Sequence, residues 1–132
     1  MYSVSFSGAG VIDEKGISHA VYLALNRSLR RIEKKGFRCT VGRILLDGSL
    51  HASARYPHQR TIIDGDSKEP IIALASICAK VVRDRKMKRL AKEFPQYGFE
   101  IHKGYGTEKH YLAIKRLGIS PLHRKSFLKL TH

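Results

Sequence analysis

Acidic residues are scarce in this chain of 132 residues: 11 Asp and Glu stand against 25 Lys and Arg, a formal charge of +14. That balance excludes an acidic regulator and disfavours a plain metabolic enzyme, because so much like charge must meet a polyanion or repel itself. Cysteine is limited to Cys39 and Cys78, with no metal-type spacing. This argues against a disulfide framework or a zinc ribbon and for a reducing compartment. No apolar run approaches the roughly 18 residues of a membrane span. The opening Tyr2-Ser3-Val4-Ser5-Phe6 lacks the basic start and continuous apolar stretch of a signal peptide. A cytoplasmic protein is therefore expected. Hydrophobic residues make up 42% of the chain, enough for a packed core rather than a disordered basic tail. There is no internal repeat, linker or low-complexity tract, so residues 1–132 read as one domain, with 95–132 as C-terminal loop and helices.

Tyr2, Val4 and Phe6 alternate with Ser3, Ser5 and Ser7, the period of a half-buried strand, and Gly8-Ala9-Gly10 breaks it. Ile17, Ala20, Val21, Ala24, Leu25, Leu29 and Ile32 share one helical face, with Gly36 as a stop. Val41 to Leu46 reads as a buried strand that ends at Asp47-Gly48, and Arg60 to Ile63 as a second that ends at Asp64-Gly65-Asp66. Asp66, Glu69 and Pro70 resemble a capped helix start. The spacing of Ile71, Leu74, Ala75, Cys78, Val82 and Leu90 predicts a helix from Pro70 to Glu93. Thr107 suits the cap of a helix that runs to Leu117 and closes at Gly118, and Ser120-Pro121 starts a last short helical segment.

The positive charge is spread along the chain: seven basic residues lie in 27–43, seven in 80–92 and seven in 103–129. Converging on one face, these stretches would track phosphate, with binding that falls steeply in salt. As separate helix faces they would merely be solvated. Asp47 and Asp66 stand out within this basic background. Carboxylates at neighbouring strand ends are suited to Mg²⁺ or Mn²⁺, hard cations that prefer oxygen ligands and keep positions open for substrate. The alternative is turn chemistry, with Asp-Gly closing a hairpin or capping a helix. Tyr105, between Gly104 and Gly106, can approach a sugar or base closely, or dock on the core as a turn tyrosine. His102 with Lys103, and His123 with Arg124, sit in basic loops and read as phosphate contacts or solvated side chains. Cys78 reads as a small buried side chain.

Several ungapped blocks occur in order: Ile44 to Gly48, Gly65-Asp66-Ser67, Ala75 to Arg85, Phe94 to Phe99, His102 to Thr107 and Ser120 to Phe127. Together they resemble bacterial ribonuclease HII over nearly the whole chain. The resemblance implies an α/β, RNase H-like mixed sheet flanked by helices, with a C-terminal helical segment. It also implies an endoribonuclease acting on RNA/DNA hybrids and nicking 5′ to single ribonucleotides in duplex DNA. In that family four acids hold divalent metal ions, Mg²⁺ or Mn²⁺. Asp47 matches the acid after the central strand, Asp66 that of the Gly-Asp-Ser turn, and Tyr105 the tyrosine at the ribonucleotide sugar. Lys80, Lys103, His123 and Arg124 are the further candidate substrate contacts.

The family's first two ligands are an Asp-Glu pair on its first strand, followed by a Gly-Arg-Gly loop that reads the 2′-hydroxyl. This chain has no such motif, and Asp13-Glu14-Lys15-Gly16 lacks that continuation. Asp13 and Glu14 are instead expected as acids favoured by a helix N-terminus. Relative to the family the chain is expected to be truncated at its N-terminus, as a fragment, a degenerate paralogue or one part of an assembly. Weak or absent cleavage alone is then expected, with a non-catalytic nucleic-acid-binding module as the alternative. Asp64 is an extra carboxylate that would raise metal affinity or repel phosphate.

Overall fold

A computed structural model describes residues 1–128. The final four positions, including Lys129 of the third basic stretch, lie outside the described residues. The chain is α/β and divides into two compact units. The first holds Met1–Cys78 and the segment that starts at Arg124; the second is Ala79–His123.

In the first unit, helix α1 (Ala9–Glu33) is followed by strands β1 (Ile44–Asp47) and β2 (Gln59–Ile62), a single turn α2 (Gly65–Lys68), and the start of α3 (Pro70–Glu93). The strands pair in parallel, Ile44 opposite Gln59 and Asp47 opposite Ile62. Among the described residues the sheet is parallel and two-stranded, where the sequence led us to expect a mixed one. Parallel strands cannot share a tight hairpin, so 48–58 must cross over, and polar side chains stand in for the usual crossover helix. Gln59 accepts from Ala52 N (2.7 Å) and donates to Tyr56 O (2.9 Å), while Asn26 accepts from Ser53 N (2.8 Å). The core lies beneath. Leu29 of α1 meets Cys39, Leu46, Ala52 and Tyr56, with Leu25, Ile32, Ile44 and Leu50 packed around them.

The Tyr2–Phe6 segment is not a strand. Its carbonyls are taken by cations spaced four apart on α1 and just beyond it: Arg27 donates to Phe6 O (2.8 Å), Arg31 to Val4 O (3.1 Å) and Lys35 to Tyr2 O (3.4 Å). The alternation of the sequence is thus real as extended backbone, but side chains satisfy the edge that a neighbouring strand would pair. Three cations expected to face phosphate are engaged within the chain instead. Helix α1 also begins earlier than the periodicity indicated, since Gly16 at φ +80° joins two helical stretches across a kink.

The second unit contains the rest of α3, a 3₁₀ turn (Pro95–Tyr97), α4 (Phe99–His102) and α5 (Glu108–Leu117). Thr107 caps α5 through His110 N (3.4 Å), as its sequence position predicted. Tyr97 stacks on Phe99 with ring centroids 5.4 Å apart, and its hydroxyl donates to Gly118 O (2.9 Å). The last helical segment is shorter and later than expected, a 3₁₀ turn at Lys125–Phe127 that belongs to the first unit. Along α3, Ile71, Leu74, Ile77 and Val81 form an exposed apolar stripe. Cys78, expected as buried, is half-buried beside it. No helix among the described residues is long and apolar enough to cross a membrane.

Candidate metal centre and substrate-binding residues

Asp47 ends β1, and its Oδ1 accepts from the backbone N–H of Gly65 at 2.8 Å. Helix starts leave N–H groups without intrahelical partners, so Asp47 satisfies one for α2 from a different element. This bond sets Asp47 beside the turn that carries Asp66. Asp66 is exposed, its Oδ1 meets the Ser67 hydroxyl (3.5 Å), and it does not cap the long helix. The intervening turn α2 separates it from α3, which begins at Pro70. The capped start read from Asp66, Glu69 and Pro70 is therefore replaced by two successive helical starts.

Gly65 is what permits the approach. A Cβ there would sit 2.8 Å from Ile72 Cδ1 and 3.2 Å from Asp47 Oδ1. The tip of Ile72 can turn aside, and the Asp47 carboxylate would have to give by a few tenths of an ångström, straining its bond to Gly65 N–H. Gly65→Ala is expected to cost about 1–3 kcal/mol, the usual range for overpacking, and to weaken Mn²⁺ binding. Urea denaturation and Mn²⁺ titration measure the two effects; wild-type values in both would show that the site tolerates the methyl group.

The other acids do not join this pair. Asp64, at φ +54°, forms an ion pair with Lys68 (3.7 Å), and Lys68 also donates to Ile63 O (2.7 Å). Its charge is thus partly offset within the turn. Asp13 accepts from Lys125 N (2.9 Å), Ser126 N (2.9 Å) and Ser126 Oγ (2.6 Å). The Ser126 hydroxyl and the backbone N–H groups of Ser126 and Lys125 hold its carboxyl below the ordinary value. Asp13 therefore does sit at a helical N-terminus, but that of the Lys125–Phe127 turn rather than of its own helix. Among the described residues no group of three or more His, Cys, Asp and Glu side chains forms a metal cage.

In the second unit Tyr105 is exposed at 59% on the turn after α4. Lys103 at φ +50° and Gly104 at φ +79° place two left-handed residues in succession before it. Its N–H donates to His102 O (2.8 Å), and its carbonyl accepts from Thr107 N (2.8 Å) and His110 Nδ1 (2.9 Å). Arg83 of α3 donates to Lys103 O (2.9 Å) and lies over the Tyr105 ring, 4.6 Å from its centroid. The Lys103 ammonium donates to Glu100 O, and Lys80 is exposed on α3. Arg124, in the first unit, stacks over Phe127 at 4.4 Å.

His123 departs from its expected place in a solvated basic loop, as does His102. Each is only 6% exposed, and His110 only 5%. Their partners define one neutral arrangement. His102 Nε2 donates to Tyr97 O (2.6 Å) and its Nδ1 accepts from Gly104 N (3.1 Å). His110 Nδ1 donates to Tyr105 O, so its Nε2 is left to accept from His123 Nε2 at 3.1 Å. His123 Nδ1 in turn accepts from Ser120 N (2.9 Å). With every ring nitrogen engaged, and the Ser120 hydroxyl also 2.9 Å from His123 Nδ1, His123 is not free to contact phosphate. Irregular chain spacing (102, 110, 123) hid this grouping, as it hid Arg83 and the close approach at Gly65.

Burial holds His110 and His123 below the ordinary histidine value of 6.5, and the neighbouring His102 acts in the same direction. The unfolded chain therefore binds protons first as pH falls. The stability contributed by the neutral cluster is complete above about pH 6.5 and is lost as pH drops from there towards the folded-state values. Thermal unfolding followed by circular dichroism should show a lower Tm at pH 5.5 than at pH 7.5, and replacing His123 with Gln should flatten that dependence. An identical pH profile in the variant would dissociate the acid sensitivity from the cluster.

The ribonuclease HII family model matches residues 1–130. The chain belongs to the ribonuclease HII family. Ribonuclease HII of Prochlorococcus marinus (strain MIT 9515) is 44% identical over 127 residues, covering 96% of this chain and 58% of the relative. Ribonuclease HII of Endomicrobium trichonymphae is 41% identical over 126 residues, covering 96% and 58%. That of Clostridioides difficile (strain 630) is 41% identical over 128 residues, covering 97% and 48%. The chain thus spans about half to three fifths of the length of these relatives. Its α/β architecture agrees with the RNase H-like class of the family.

Proposed function

We propose that this chain serves the ribonuclease H reaction, hydrolysing the RNA of RNA/DNA hybrids and nicking 5′ to ribonucleotides embedded in duplex DNA. The observation that carries this reading is the Gly65 N–H bond to Asp47 Oδ1, which joins the end of β1 to the Asp66 turn. Carboxylate oxygens are the donors that Mg²⁺ and Mn²⁺ select, and Mg²⁺ is commonly held by one or two carboxylates with water and substrate phosphate. Asp47, through the oxygen not engaged by Gly65, and Asp66 fit that role. Bound there, divalent ions would supply Lewis-acid stabilisation to a two-metal phosphodiester hydrolysis. Tyr105 would meet the ribose, with Lys80, Lys103 and Arg124 towards the phosphates; His123 would support the Tyr105 turn through His110. The free cysteines Cys39 and Cys78 suit a cytoplasmic setting.

A hard cation takes about six oxygen ligands, and Asp47 and Asp66 supply only part of such a set. We therefore expect the chain alone to cleave weakly or not at all, and full activity to need further polypeptide with two more acids. The exposed stripe Ile71, Leu74, Ile77 and Val81 supports such a requirement, since contiguous exposed apolar surface usually marks a contact. The test is a DNA duplex containing one ribonucleotide, incubated with the chain and Mg²⁺ or Mn²⁺. Robust nicking 5′ to the ribonucleotide by the chain alone would refute its incompleteness. Salt-sensitive binding that survives Asp47→Asn and Asp66→Asn, with no metal-dependent effect, would instead identify a non-catalytic basic module.

A further inference from the structure

We propose that Arg83 is a positioning residue for Tyr105, fixing the plane in which the phenol ring is presented; this rests on the reading of Tyr105 as the group at the ribose. The side chain of Tyr105 is mostly exposed, so packing alone does not select its orientation. Its backbone is fixed by bonds to His102, Thr107 and His110. Those bonds hold the Cα and leave the side-chain torsions to whatever touches the ring. Arg83 touches it, with the guanidinium carbon 4.6 Å from the ring centroid.

The same guanidinium donates to Lys103 O at 2.9 Å. A planar group with a rigid fork of donors can bond a carbonyl and cover a ring at once, which an ammonium or an amide cannot do in one geometry. Arg83 thereby ties the start of the turn to the ring at its end, across the left-handed pair Lys103 and Gly104. One face of the ring carries the cation, so the opposite face and the hydroxyl remain for a sugar. Arg83 stands on α3, a helix of 24 residues, so the ring is referred to a rigid element rather than to its own loop.

A merely structural Arg83 would need only the carbonyl bond, and two substitutions separate the roles. Arg83→Gln keeps a donor for Lys103 O and removes the cation from the ring; Arg83→Lys keeps a cation for the ring. The readout is the ratio of the chain's affinities, by fluorescence anisotropy without metal, for a duplex carrying one ribonucleotide and its all-DNA counterpart. General phosphate attraction cancels in that ratio. Arg83→Gln should reduce it about two- to fivefold, the range of a cation–π contact at an exposed site, and Arg83→Lys should restore part of it, since an ammonium can face the ring without also holding the carbonyl. In Arg83→Gln the ¹³C-labelled ring signals of Tyr105 should also move. A wild-type ratio in Arg83→Gln, while Tyr105→Ala abolishes discrimination, overturns the positioning role and leaves Tyr105 at the ribose. A ratio unchanged by Tyr105→Ala, or a wild-type ratio of one, overturns both.

Discussion

Asp47→Asn and Asp66→Asn should each move two measurements in opposite directions. Mn²⁺ affinity is expected to fall at least about tenfold per substitution, since losing even 1.4 kcal/mol of ligation corresponds to that factor. Nicking by a reconstituted, active ribonuclease HII should fall on the order of 10²–10³-fold, because metal stabilisation of the scissile phosphate is worth several kcal/mol. Duplex binding without metal should instead tighten, because each change removes a carboxylate that repels phosphate from a chain of charge +14. Asparagine preserves an acceptor for Gly65 N–H at position 47, so the fold should be retained. Asp66 has no such backbone duty, so its variant should be the less perturbed in stability. Titration calorimetry with Mn²⁺ and metal-free anisotropy with duplex DNA read the two effects. Both falling together would indicate damage to the fold instead of loss of a metal ligand.

Tyr56→Ala should be the most disruptive single change in the first unit. Tyr56 is 0% exposed and its hydroxyl donates to Glu33 Oε2 at 3.2 Å, with Arg55 also at that carboxylate (3.4 Å). It packs in one cluster with Leu29, Cys39, Leu46 and Ala52, so its loss opens a cavity within that core. Truncating a buried aromatic ring costs about 3–5 kcal/mol. Tyr56→Phe keeps the ring and loses only the hydroxyl bond, about 1 kcal/mol. Urea denaturation should separate the variants clearly; equal midpoints for Ala and Phe would show that the ring does not anchor this core.

Much of this architecture could be read from local pattern. Pro70–Glu93 and Glu108–Leu117 are helices as expected because proline, a threonine cap and glycine act within a few residues of where they stand. Both strands lie within two or three residues of their expected limits. What local pattern missed depends on partners distant in sequence. The Tyr2–Phe6 alternation describes an extended backbone, but whether that becomes a strand depends on what its edge meets, here Arg27, Arg31 and Lys35. His123 looked solvated among basic neighbours because nothing local shows a ring turned inward towards His110, thirteen residues earlier. At the candidate metal centre, the type and spacing of Asp47 and Asp66 were legible, and the resemblance supplied their roles. The bond between their two elements joins residues eighteen apart in sequence and shows only in the fold.

The short parallel sheet also bears on how the protein behaves at high concentration. Neither outer edge of the β1–β2 pair carries a further strand among the described residues, and unpaired edges can add a strand from a second molecule. Mutual repulsion between chains of charge +14 opposes that encounter, with a range of only about 8 Å at physiological ionic strength. Salt should therefore act on two equilibria at once. Added to release a bound duplex, it would also withdraw the barrier that keeps the molecules apart, so colloidal stability should be greatest in the dilute buffers where nucleic acid binds most tightly.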